Sequence, residues 1–320
     1  MTNLLPRGLP LLALALAWLA TSPPAAAQAK PFWLDLYTGE EVPFAKMVED
    51  LAAVDVVYAG EIHTIARHHR YQTELLRALA AKGKPMALGL EQIEARHQPI
   101  VDRFNSGELD FDGLARELEW GKSWRNFEQY RPLCELAQKN GIPVRALNAP
   151  NEIIRAVGRK GLASLSPEQR RQLPAEIELN DPLYEKLMNL LLAVHMTMDP
   201  NKLQTVFEAQ VARDETMAEH IAEAARGADG QPRQVFVVCG RGHVSYGLGI
   251  PDRVQRRLSQ STARIILATE SGELELTEQE QAMQRDITVT HADLRSLRRP
   301  LADYLQVLPR SGQANGQDGE

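Results

Sequence analysis

The chain has 320 residues, of which 44% are hydrophobic and 24% charged. That is enough apolar material for a full-sized core, and it suits one large domain with an elaboration rather than two independent domains. The formal net charge is −6 and no basic stripe stands out, which argues against a nucleic-acid binder.

At the N-terminus Arg7 precedes an apolar run from Leu9 to Ala20, and Ser22-Pro23-Pro24 leads into Ala25-Ala26-Ala27-Gln28-Ala29. Small residues in that pattern read as a secretory signal peptide, residues 1–29, cleaved near 27–29. A dozen or so apolar residues fall short of the about 20 that a bilayer span needs. The expected mature chain, 30–310, is therefore periplasmic or secreted, and with no Cys near the cleavage region it is not a lipoprotein. Residues 311–320, rich in Gly, Asn, Gln and Asp, read as a disordered tail. The two cysteines are Cys134, in a helical pattern, and Cys239, closing a strand-like run. Pairing and separate burial both stay open, while a Cys-based metal cluster is excluded by number.

Residues 31–53 read as a short segment with a turn at Thr38-Gly39-Glu40, then an amphipathic stretch through Phe44, Met47, Val48 and Leu51. The stretch Val54-Asp55-Val56-Val57-Tyr58-Ala59-Gly60 reads as a buried parallel strand that delivers Glu61 and His63 at its C-terminal end. Tyr71, Leu75, Leu76 and Leu79 then give a helix from Ile65 to Ala81, closed by Gly83 and Pro85. Its His68 and His69 point about 100° apart and are expected on a solvated face. A second strand, Met86 to Leu90, runs into Glu91, and helical patterns follow at Ile93 to Phe104, Phe111 to Leu118 and Phe127 to Lys139. Trp120 and Trp124, four apart, are expected to pack. The third strand, 142–147, runs into Asn148-Ala149-Pro150.

Residues 151–228 hold no strand-like run and several X-Pro breaks, which predicts a small helical subdomain lying over the crevice at the strand ends. Strands resume at 234–240, ending in Arg241-Gly242-His243, and at Arg264 to Ala268. The fold class is thus α/β, a mostly parallel sheet flanked by helices with a smaller helical subdomain. In an open sheet of this kind the strand C-terminal ends share one crevice. Glu61, His63, Glu91, Asn148 and His243 should meet there, with Arg213 and Asp214 as an ion pair orienting the histidines. Such a set suits a hydrolytic centre on zinc or another divalent metal. His63, Glu91 and His243 would be the ligands and Glu61 the general base. It equally suits a binding crevice without chemistry.

Five motifs in order carry a resemblance: Gly60-Glu61-Ile62-His63, Leu88-Gly89-Leu90-Glu91, Leu147-Asn148-Ala149-Pro150, Gln210 to Ala218, and Gly240-Arg241-Gly242-His243 followed by Gly247-Leu248-Gly249-Ile250-Pro251. Together they resemble the ChaN family of haem-binding proteins of iron uptake, over about residues 50–262. That family sits in a superfamily with Tiki metalloproteases and erythromycin esterases, which keeps the hydrolase reading as the alternative. The resemblance implies haem as cofactor, one tyrosine on each iron, and two haems face to face inside a homodimer. It also implies a His and a Lys of the partner subunit on the propionates, and an outer-membrane haem receptor as partner. Candidate iron ligands are Tyr184, Tyr130 and Tyr246, in that order, with His63 and His243 beside the haem. Met188, Met196 and Met198 are the softer alternatives, more ordinarily gap-fillers in a core.

Overall fold

The computed structural model describes residues 30–193, 200–227, 230–269 and 291–308. The expected leader 1–29, the tail 311–320, Met196 and Met198 lie outside the described residues. The architecture is α/β. Among the described residues the strands are β1 (Phe32–Asp35), β2 (Val56–Glu61), β3 (Met86–Glu94), β4 (Val144–Asn148), β5 (Gln234–Gly240), β6 (Ala263–Ala268) and β7 (Tyr304–Val307). They form one sheet in the order β1-β7-β6-β2-β5-β3-β4, parallel throughout except for the β1–β7 pair. The helices of the first half are α1 (Phe44–Ala53), α2 (Ala66–Ala80), α3 (Gln98–Asn105), α4 (Phe111–Glu117), α5 (Trp120–Ser123) and α6 (Arg131–Lys139). Those that follow are α7 (Asn151–Lys160), α8 (Pro167–Arg170), α9 (Pro182–Ala193), α10 (Pro200–Arg226) and α11 (Ile250–Arg257).

The central strands read as unbroken apolar runs because both of their faces are covered. Alternate residues divide between two cores. Val57 and Ala59 of β2, with Phe236 and Val238 of β5, pack with α1, α2 and α6. Val56 and Tyr58, with Val235, Val237 and Cys239, pack with Met217, Ala218 and Ile221 of α10 and Val254 of α11. Each fully buried Leu or Val contributes roughly 1.5–3 kcal/mol relative to exposure. Cys134 lies in the first core and Cys239 in the second, both free, so the thiols serve as small apolar side chains.

One insertion positions the site. β5, separated from β4 by 85 residues of chain, slots between β2 and β3. Its register sets Gly240 beside Glu61 and Val238 beside Leu90, bringing the ends of three strands together. Gly60 admits the crossing: a Cβ there would fall 2.5 Å from Leu267 Cδ2 and 2.9 Å from Val244 Cγ2.

Several expectations are corrected. The helix expected from Ile93 begins later, because β3 continues through Glu91 to Glu94, with a register shift against β4 between Leu90 and Glu94. Glu91 therefore sits inside a strand at an irregularity, a device that re-aims side chains next to sites. His68 and His69 are both buried, not solvated. β1 and β7 escaped the sequence reading, each being only four residues long; β1 at the sheet edge pairs antiparallel with β7, which pairs parallel with β6. Within 151–228 the described residues form no strand; the 27-residue α10 joins this block to the sheet, its C-terminal half in the second core and Phe207 and Val211 against α9.

Candidate functional site

Two buried carboxylates organise the crevice. Glu61, the last residue of β2, accepts hydrogen bonds at Oε1 from His63 Nδ1 at 2.7 Å, Tyr130 Oη at 2.5 Å and Gln92 Nε2 at 3.1 Å. Its Oε2 accepts from Gln72 Nε2 at 2.8 Å and lies 3.3 Å from His69 Nδ1, whose Nε2 donates to the His63 carbonyl at 2.9 Å. Such a net fixes the His63 ring, because a buried acceptor left unmade would cost about 1–3 kcal/mol.

Glu91 holds the other half. Its Oε2 accepts from the Gly240 backbone N–H at 2.6 Å and its Oε1 lies 3.4 Å from His243 Nε2. The opposite nitrogen of that ring, Nδ1, sits 2.5 Å from Asp214 Oδ1, and the Gln210 amide is 2.9 Å away. Burial disfavours charge on His243, but Glu91 and Asp214 outweigh it and raise its pKa to about 10. Burial likewise pushes Glu91 up, yet His243, then His63 and Arg213, hold it well below the usual carboxylate range. The ring is thus an imidazolium clamped between two carboxylates.

At the mouth stands His63, its side chain 34% exposed and its ring 4.7 Å from that of Trp124 in an edge-on contact. Burial works against its charge, while the hydrogen bond to Glu61 and the charges of Glu91 and Glu61 raise its pKa overall. Asn148 is buried behind Glu91, donating to the Glu91 carbonyl at 2.9 Å. Arg213 is half-buried and close enough to Glu91 to lower its pKa, and its Nε is buried without a hydrogen-bond partner among the described residues. The expected Arg213–Asp214 pair is corrected: Asp214 is engaged instead by His243 and by Tyr184 Oη at 2.6 Å.

The structure thus brings Glu61, His63, Glu91, Asn148, Arg213, Asp214 and His243 together. The tyrosines separate. Tyr130 and Tyr184 are fully buried, and each hydroxyl donates to a carboxylate, Glu61 and Asp214 respectively. Burial, reinforced by the neighbouring carboxylate, pushes both phenols well above their ordinary range. Tyr246 is half-buried, in a left-handed conformation (φ 61°, ψ 14°) that costs a non-glycine residue about 1–2 kcal/mol. Burial raises its pKa and the Arg241 guanidinium opposes that.

Among the described residues no three His, Cys, Asp or Glu side chains are grouped to hold a metal ion. Both ring nitrogens of His243 face carboxylates, Nε2 that of Glu91 and Nδ1 that of Asp214.

Gln72, Gln92, His69 and Gln210 complete the site; Gln72 and Gln92 were not singled out from sequence, Gln210 entered only as the start of a motif, and His69 was expected on a solvated face. A helical stripe through His68, Gln72, Leu75, Leu76 and Leu79 does put the first two on the buried face of α2.

Comparison with known proteins follows the same lines. The ChaN protein of Campylobacter jejuni, whose structure shows cofacial haem binding, matches with a TM-score of 0.65 and 19% identity, over 87% of this chain and 97% of that one. An erythromycin esterase in an open conformation is a more distant likeness, at 10% identity over 74% of this chain and 76% of that one, TM-score 0.43. Protein RETICULATA-RELATED 5, chloroplastic, of Arabidopsis thaliana is 22% identical over 236 residues, 68% of this chain. The chain spans about a third of that curated relative's length, 32%. Residues 47–254 match the family model described as haem-binding uptake, Tiki superfamily, ChaN, and the chain belongs to that family.

Proposed function

We propose that this chain is a haem-binding protein acting in haem uptake outside the cytoplasm. Membership of the haem-binding uptake family carries the reading. Ferric haem supplies a flat apolar face, a Lewis-acidic iron and two carboxylate arms. Of the three candidate tyrosines, Tyr246 fits the iron: its ring belongs to an apolar cluster with Leu248 and Leu297, and its hydroxyl is not committed to a buried carboxylate. His63, half-buried at the mouth and with a raised pKa, and Arg213, with its unpartnered Nε, fit the carboxylate arms. The imidazolium of His243 and its carboxylates hold the floor rigid. The zinc reading has less support, because the family whose model matches this chain is described as haem-binding.

A porphyrin half-covered by one subunit gains apolar burial when a second subunit covers it, so haem loading is proposed to drive a homodimer. The leader-like stretch from Leu9 to Ala29 supports an extracytoplasmic location, where an outer-membrane haem receptor would be the partner. The test is a panel of single Tyr→Phe variants titrated with hemin and run on a sizing column. Tyr246→Phe should lose the high-spin tyrosinate spectrum and the dimer, while Tyr184→Phe and Tyr130→Phe keep both. Unchanged spectra in all three variants would overturn the tyrosinate assignment.

A further inference from the structure

We propose that residues 297–301 form a strap that positions the Tyr246 phenol for iron, with Leu297 and Arg299 as the positioning residues; this rests on Tyr246 being the haem ligand. Tyr246 stands in a turn built of positive φ angles, 61° at Tyr246, 70° at Gly247 and 71° at Gly249. Glycine takes that backbone freely and tyrosine does not. The turn stands on the crevice floor, since a Cβ on Gly249 would run into the His243 carbonyl and lie 3.1 Å from Tyr184 Oη. A strained residue persists only where its surroundings over-determine it. Here the holding contacts come from far along the chain. The Tyr246 N–H donates to the Leu301 carbonyl at 2.8 Å. Arg299 Nη1 donates to the Gly247 carbonyl at 3.3 Å, across 52 residues, and pairs with Asp252 of α11 at 2.9 Å. Leu297 is 1% exposed and joins the apolar cluster of Tyr184, Phe207 and Leu248 against which Tyr246 packs.

Strain lies on both sides of this contact. Arg298, at φ 54°, is left-handed too, so two of the three non-glycine residues with positive φ among the described residues belong to the strap and to the turn it holds. The strap runs on into β7, whose pairing with β6 ties it to the sheet. Tyr246 is therefore oriented by burial of Leu297 and by main-chain bonds, not by its own backbone preference. A ligand residue fixed in this way spends none of the hemin affinity on ordering itself, whereas one on a relaxed turn does. The Arg299–Asp252 pair is exposed and contributes little to the fold, so Arg299 can be removed without unfolding the chain.

The test pairs hydrogen exchange at the Tyr246 amide of the hemin-free chain with hemin titration of the same variants. Arg299→Ala and Leu297→Ala should each speed exchange at Tyr246 by about tenfold, weaken hemin binding by about tenfold and shrink the tyrosinate band. Leu297→Met, which keeps the volume, should restore the parent's behaviour. Leu79→Ala removes an equally buried leucine from the C-terminal end of α2 in the first core, and should lower stability while leaving the tyrosinate band unchanged. A parent chain with the tyrosinate spectrum, whose Arg299→Ala and Leu297→Ala variants keep both that spectrum and the hemin affinity, would overturn the strap alone and leave it a structural contact. A parent chain without that spectrum would instead sink Tyr246 as the ligand, and the strap's role with it.

Discussion

His63 and His243 pack against the same glycine: a Cβ built on Gly240 would lie 3.1 Å from His63 Nε2 and 3.5 Å from His243 Cδ2. The backbone there is ordinary (φ −59°, ψ 137°), so the requirement for glycine is purely one of space. Gly240→Ala should fold with a loss of about 1 kcal/mol, at the low end of overpacking costs. His63, the more exposed ring, should be the one that moves. Thermal unfolding with NMR of the histidine ring protons checks both statements; an unmoved His63 signal would contradict the packing argument.

Asp214 supplies one of the two carboxylates that keep His243 charged. Asp214→Asn should lower the His243 pKa from about 10 and destabilise the fold by about 3 kcal/mol, the lower end for breaking a buried ion pair. NMR titration of His243 and denaturant melts of the variant measure the two effects independently.

Stability should fall on both sides of neutrality, for different histidines. For His243 the folded pKa is raised, from 6.5 to about 10, so its contribution is complete below 6.5 and is lost as pH rises through about 10. For His68 burial depresses the pKa to about 4, with the ring locked by accepting from the Ile62 N–H at 2.9 Å. Its contribution is complete above 6.5 and is lost as pH falls through about 4. Urea midpoints measured from pH 4 to 10 should peak between these windows, and His68→Gln should flatten only the acid limb.

At the β4 edge, side chains occupy the place of an eighth strand. Asn105 accepts from the Val144 N–H at 2.8 Å and donates to its carbonyl at 3.0 Å, and Gln98 accepts from the Ala146 N–H at 2.8 Å. Covering an edge in this way blocks pairing with another chain. Gln98→Ala with Asn105→Ala should cost about 1 kcal/mol per lost bond and raise self-association. Light scattering on warming reports the second effect, and a monodisperse double variant would count against it.

Much of the scaffold was legible because β2 and β5 are buried on both faces, which leaves continuous apolar runs that end in Glu61 and in Arg241-Gly242-His243. The parallel α/β fold follows from those runs alternating with helices. The fate of the tyrosines was not legible. Tyr130 meets Glu61 across 69 residues and Tyr184 meets Asp214 across 30, and no local pattern announces which buried carboxylate a phenol will face. His68 and Gln72 carried a signal in their spacing, but a polar residue on a core face reads as solvated until its partner, the Ile62 N–H or the Glu61 carboxylate, is in place.

The central claim is that this chain takes up haem, and an absorption titration of the purified mature protein with hemin tests it most directly. The account predicts a saturating shift of the Soret band at one hemin per chain, with a high-spin tyrosinate-type visible spectrum and the protein eluting as a dimer. A spectrum that stays that of free hemin throughout the titration, with the chain eluting unchanged, would contradict it.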